Sequence, residues 1–130
     1  GVAINPEVKK LEDMSGTDRA RFEKMDEKAR LEEAYKFAAP CPEVNVTPEV
    51  RQAGYESFVT TDDHLMHITG MVQDQNGTVY YITKNSWGTE RNTFGGYLNM
   101  SESYVRAKTI YVLIHKDGIP KDMKKKLGIK

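Results

Sequence analysis

The chain changes its periodicity once, near residue 62, and that change limits the folds open to it. Before it, Glu, Lys, Arg and Ala dominate, with apolar residues at helical spacing; after it, Tyr, Ile, Val, Thr and Gly alternate with a period of two. A side chain that recurs every 3.6 residues lines a helix, and one that recurs every two lines a strand. The pattern therefore predicts helices first and then antiparallel β-structure, an α+β fold. Residues 1–62 read as a mostly helical insert and linker, and residues 63–130 as the antiparallel β portion. A chain of 130 residues is one domain or part of one.

Local signals divide it further. Residues 2–4 are a short apolar start, readable as the end of a strand. Ser15, Thr17 and Asp18 are N-cap candidates for a charged helical segment over 19–37, with Phe22, Met25, Ala29 and Tyr35 toward a core. Its polarity favours one or two short surface helices. Pro40-Cys41-Pro42 ends helical structure, and Thr47-Pro48 starts it again, threonine as cap and proline in the first turn. That helix should reach about Phe58, with Val50, Gly54 or Tyr55, and Phe58 inward. Strands follow at 64–72 and 78–85 around an Asn76-Gly77 turn, then at 97–100 and 109–115. Ser101 caps a brief helix, and Pro120 opens a basic one that ends near Gly128.

Charge and cysteine content remove several function classes. Nineteen basic and nineteen acidic residues give zero formal net charge, so no overall field draws the chain to nucleic acid or an anionic membrane. No apolar run approaches the length of a membrane span. Lys121 and Lys124 to Lys126 read as a solvated helix end, where the helix dipole favours cations. The lone Cys41 permits no intrachain disulfide and no multi-cysteine zinc site. His64 and His67 lack the four-residue spacing and intervening glutamate of a helical zinc site. On one strand, residues three apart point to opposite faces. Neither a metal nor a cofactor is expected.

His64 follows Asp62-Asp63, and the return strand of its hairpin ends at Asn85-Ser86-Trp87-Gly88. With the ladder centred on Asn76-Gly77, His64 falls a few residues from Asn85, and a bulge or a longer turn would close the gap. A carboxamide oxygen there could accept the imidazole Nδ1–H and leave Nε2 for a nucleophile. A histidine at a strand start also serves as a surface or satisfied core residue, and Asn-Ser-Trp-Gly also serves as a turn with a buried tryptophan. Pattern alone gives an α+β domain without a function.

Three blocks add a resemblance. Asp63-His64 with Gly70 resembles the histidine strand of papain-like cysteine peptidases. Lys84-Asn85-Ser86-Trp87-Gly88-Thr89 resembles their asparagine motif, and Gly95-Gly96-Tyr97-Leu98 the strand after it. The run 61–64, the pair Tyr80-Tyr81 and the charged insert are similar to the bleomycin hydrolase and aminopeptidase C group. The resemblance implies an antiparallel β-barrel-like half, the right-hand domain, of the papain-like fold with a helical insert. It implies His64 as catalytic histidine, Asn85 as its orienting partner, Trp87 as a shield over their hydrogen bond and Asp63 as an acid tuning the ion pair. It also implies a peptide substrate, a homo-oligomer and a cytoplasmic setting. The nucleophilic cysteine of the family, with the glutamine that precedes it, has no counterpart here. Cys41 lies between prolines and reads as a structural thiol. The chain is thus expected to be a C-terminal portion, inactive alone, whose nucleophile lies on a missing N-terminal portion. The competing expectation is a non-catalytic interaction module that keeps the barrel.

Overall fold

A computed structural model of the protein describes residues 2–7, 14–34 and 40–130. Its centre is a four-stranded sheet in the order β1-β4-β3-β2, formed by β1 (Val2–Ala3), β2 (His67–Gln73), β3 (Val79–Lys84) and β4 (Tyr97–Ser101). The β2–β3 and β3–β4 pairs are antiparallel, whereas β1 runs parallel to β4, with Val2 opposite Asn99 and Ala3 opposite Met100. The α+β class expected from the sequence is present, but the sheet is mixed rather than wholly antiparallel. Period-two alternation marks a strand without giving its direction, so the parallel edge left no signal.

The helical half follows its caps. Helix α1 (Gly16–Glu23) starts at Ser15, whose hydroxyl accepts the Asp18 N–H, and α2 (Glu27–Ala34) follows after a short break. Two short helices therefore occupy most of the charged segment. Asp26 accepts the Ala29 N–H at 2.8 Å, and Arg30 reaches back to donate to the Phe22 and Glu23 carbonyls, which closes α1. Phe22, Met25 and Ala29 are half-buried; Tyr35, the fourth position expected to face a core, lies outside the described residues. Helix α3 (Pro48–Glu56) has Thr47 as N-cap and proline in its first turn, as the sequence predicts.

The face of α3 departs from expectation. Val50, Tyr55 and Phe58 point to solvent, and Phe58 is 82% exposed in a left-handed conformation with φ 59°. The packing contact is made instead by Arg51, whose guanidinium donates to the Arg106 and Thr109 carbonyls at the end of α4 (Glu102–Lys108). An arginine fork satisfies two orphan carbonyls of a helix end, which an apolar side chain cannot do.

The segment 109–115, expected as a final strand, lies outside the sheet. Tyr111, Val112, Leu113 and Ile114 are all exposed, Leu113 to 93%. Strand composition is not sufficient without a neighbouring edge to complete the ladder. A 3₁₀ turn at Lys116–Gly118 and α5 (Lys121–Leu127) follow, with Gly128 as left-handed C-cap. Among the described residues, no helix is long and apolar enough to cross a membrane.

Ile4, Tyr80 and Met100 are buried together with Thr83 and Ser101. Glu43 binds this centre to the insert: its carboxylate accepts the Asn5 N–H at 2.9 Å and the Ser101 hydroxyl. The same Ser101 oxygen accepts the Tyr104 N–H at 3.1 Å as N-cap of α4. One fully buried hydroxyl thus serves a helix start and a charged acceptor. Removing it in Ser101→Ala should cost about 2 kcal/mol or more, from the cap and the charge-assisted bond combined. Urea unfolding followed by circular dichroism should show the lower midpoint with an unchanged slope.

Candidate active site

The hairpin that carries His64 and Asn85 is shifted by two local features. Its turn holds three residues rather than two: the Asp74 carbonyl accepts the Gly77 N–H at 3.1 Å, and Gly77 takes φ 87°. The Asp74 carboxylate accepts the Asn76 and Thr78 N–H groups at 2.8 and 2.9 Å, which fixes this wider turn. Only a glycine takes that left-handed position without strain. The second feature is a bulge between Ile68 and Gly70, after which His67 lies opposite Lys84. Both features move His64 along the ladder toward Asn85.

His64 itself precedes β2 and stands outside the strand. It is exposed, while Asn85 is buried at 8% exposure just beyond the end of β3. The His64 Nε2–H donates to the Asn85 Oδ1 at 2.8 Å; an amide oxygen only accepts, so the proton of this pair belongs to Nε2. This reverses the ring orientation expected from the sequence, in which Nδ1 faced the carboxamide. The backbone leads into β2 from outside the sheet, and from there the far edge of the ring reaches the end of β3. Nδ1 takes no part in this bond. Asn85 Oδ1 also accepts the Ser86 N–H at 2.8 Å, which fixes its side chain.

Trp87 covers the pair. Its ring stacks on the His64 imidazole with centroids 5.3 Å apart and planes 26° from parallel, and the Arg91 guanidinium lies 5.9 Å from its centroid. The indole is nevertheless 60% exposed, so it covers one side of the imidazole without enclosing it. Asp63 is engaged elsewhere: its carboxylate accepts the Thr61 hydroxyl at 2.9 Å. Its charge is felt by Tyr104, whose hydroxyl is pushed above its ordinary pKa first by burial and then by Asp63.

Four further residues build the site and were given no role of their own from the sequence, although Lys84 and Gly96 stand in the quoted motifs. Lys84 donates to the Gly95 carbonyl at 2.8 Å, and its ammonium lies 5.1 Å from the Tyr97 ring centroid. Asn92 accepts the Phe94 and Gly96 N–H groups and donates to the Tyr97 carbonyl, winding the loop on itself. Gly96 has φ 82°, and a Cβ there would overlap the Gly88 carbonyl oxygen and the Lys84 Nζ. Arg91 lines a cavity of about 300 Å³ with Val2, Asn85, Trp87 and Leu98. The paired glycines before Tyr97 were the available signal, since a glycine doublet between strands marks a close backbone approach.

His67 sits on the exposed edge strand, and no three of the His, Cys, Asp and Glu residues come together as a metal-binding group among the described residues. The sequence argument that His64 and His67 face opposite sides of one strand does not hold, because His64 is not in the strand. Cys41 is exposed and stands two residues before Glu43, whose carboxylate accepts the Ser101 hydroxyl opposite Tyr80 in the β3–β4 ladder. Tyr80, in β3, and Asn85, just beyond its end, are five positions apart, or about 17 Å at the usual rise.

With this geometry in hand, the comparisons with known proteins agree on a class. A model of the Peptidase C1-like family matches residues 25–129, and the chain belongs to that family. Aminopeptidase C from Lactobacillus helveticus is 42% identical to it over 64 residues, which are 48% of this chain and 14% of that protein. The chain therefore spans a small part of the length of this relative.

Burial and the neighbouring Glu43 push the Cys41 thiol above its ordinary pKa, which lowers its thiolate fraction at neutral pH. Alkylation of Cys41 by iodoacetamide should be slower than that of glutathione at neutral pH and should rise as pH is raised. Mass spectrometry of timed aliquots measures both rates. A Cys41 that reacts faster than glutathione would return it to candidacy as a nucleophile.

Proposed function

We propose that this chain is the histidine- and asparagine-bearing C-terminal part of a thiol-dependent peptidase of the aminopeptidase C and bleomycin hydrolase type. His64 is its catalytic histidine and Asn85 the group that orients it. The observation that carries this reading is the 2.8 Å bond from His64 Nε2–H to Asn85 Oδ1 beneath Trp87. The nucleophilic cysteine lies on an N-terminal portion outside these residues, and the place of Cys41 beside Glu43, toward the Tyr80 end of β3, supports that division. Residues 1–62 serve mostly as helical insert and linker, with β1 joining the sheet, and residues 63–130 as the β portion carrying His64 and Asn85.

The chemistry follows from the orientation of the ring. The thiol gives its proton to Nδ1 of His64, and the resulting thiolate attacks the carbonyl carbon of a peptide bond. The imidazolium then returns a proton to the leaving amine, and water releases the acyl group from sulfur with His64 as base. Asn85 contributes by holding the tautomer: with the Nε2 proton committed to its oxygen, the Nδ1 lone pair is the basic site. Trp87 removes water from one side of that bond, which strengthens it.

The open sheet fits the same reading. The edge strand β2 presents Ile68, Met71 and Val72 to solvent, and 109–115 offers a strand sequence without a ladder. Both are surfaces that the remainder of the papain-like fold would cover, closing the sheet into its barrel-like half. The peptide substrate would then lie between the two parts, with homo-oligomer formation and a cytoplasmic setting carried over from the family.

In the full-length protein, His64→Ala should abolish peptide hydrolysis, and Asn85→Ala should lower it by roughly 10²-fold, as expected for an orienting group. An aminopeptidase assay with and without a thiol alkylator measures this. The alternative, a non-catalytic interaction module that keeps the fold, predicts no alkylator-sensitive turnover in the parent and no effect of His64→Ala on partner binding.

A further inference from the structure

Asn85 and Gly96 flank a loop that carries Trp87, and its two ends must be brought together for the site to exist. The Asn85 N–H donates to the Gly96 carbonyl at 3.0 Å, which is the last ladder bond between the strands. Beyond it, residues 86–95 form no strand, and Trp87 is more than half exposed, so little apolar packing sets the height of the indole above His64. Some other interaction must fix where Trp87 rests.

Lys84 fits that requirement. It is the last residue of β3, and its side chain crosses the mouth of the loop. The ammonium donates to Gly95 O at 2.8 Å, lies 3.5 Å from Gly88 O, and sits over the Tyr97 ring. The two carbonyls belong to opposite limbs of the loop, one next to Trp87 and the other next to Gly96. A single cation therefore draws both limbs toward the strand ends. The crowding at Gly96 reflects this seat, because any Cβ there would meet both the Gly88 oxygen and the ammonium itself. Charge-assisted bonds to carbonyls together with a cation–π contact offset the desolvation of a half-buried ammonium.

We propose that Lys84 is a positioning residue for the catalytic histidine: its ammonium, seated between the Gly88 and Gly95 carbonyls, holds the loop so that Trp87 stacks on His64. This rests on the reading of His64 and Asn85 as a catalytic pair, but its test needs no turnover. Trp87 is the sole tryptophan of the chain, and a protonated imidazole quenches indole emission more strongly than a neutral one. The emission of this chain should therefore be higher in a neutral buffer than in a mildly acidic one in which the chain stays folded. His64→Ala removes that difference and isolates the contribution of this ring.

In Lys84→Met the pH-dependent part of the emission should be lost, with far-UV circular dichroism unchanged. Lys84→Arg should restore it, because a guanidinium has donors for both carbonyls. If Lys84→Met alters the circular dichroism, Lys84→Gln, which keeps part of the aliphatic stem, decides instead. Retention of the full pH-dependent emission in a folded Lys84→Met or Lys84→Gln chain overturns the proposal. Unfolding of both overturns it too, since Lys84 would then be a folding residue rather than a positioning one. Failure of the catalytic reading has a separate signature: peptide hydrolysis by the His64→Ala parent, whatever the emission of the Lys84 variants.

Discussion

The ladder bond from Asn85 to Gly96 joins the end of β3 to the start of β4, and the geometry around His64 depends on it. A loop anchored there can fold back over the strand ends instead of extending into solvent. Its anchor also buries the Asn85 side chain, and a buried carboxamide with one oxygen already bonded to Ser86 has few orientations left. The histidine meets a partner that is already fixed. This explains how an exposed residue outside any strand can hold a 2.8 Å contact with a defined nitrogen.

A second fixed point lies at the other end of the sheet, where Glu43 gathers Asn5 and Ser101. Around it, residues 5–7 and 42–44 exchange backbone bonds, with Glu7 donating to Pro42 and Val44 to Asn5. The insert is thus tied to the sheet by main-chain and carboxylate bonds close to β1, and Ser103 adds a bond to the Val44 carbonyl at 3.0 Å. The two fixed points divide the work between them. One secures the architecture through buried hydroxyl and carboxylate groups, and the other shapes the surface where His64, Asn85 and Trp87 meet.

Much of this was legible in the sequence, for reasons that differ by element. The α3 start at Thr47-Pro48, the cap at Ser101 and the Gly128 terminus were readable because capping is local chemistry. The hairpin was readable from Asn76-Gly77, but its register was not. The Asp74 side chain widened the turn, and the bulge before Gly70 shifted the ladder; both depend on bonds between residues rather than on residue type. The pairing of His64 with Asn85 came from motif order, whereas the nitrogen involved depends on the direction of approach of a three-residue segment ahead of β2. Lys84 was hidden for a similar reason. A lysine at a strand end reads as solvated unless the carbonyls that receive it are known. The outward face of α3 and the unpaired segment 109–115 show the limit of periodicity, which reports that a face is apolar but not what covers it.

That uncovered apolar surface has a thermodynamic consequence. Unfolding raises heat capacity in proportion to the apolar area newly exposed to water, and the slope of stability against denaturant follows the same area. Here Tyr111 through Ile114 and much of β2 are hydrated before unfolding begins. The free-energy curve of the chain against temperature should therefore be shallow, with a broad transition for its length. Burying the same residues against another part of a larger fold would sharpen that transition, so that the stability of the His64–Asn85 geometry becomes a property of the assembled molecule.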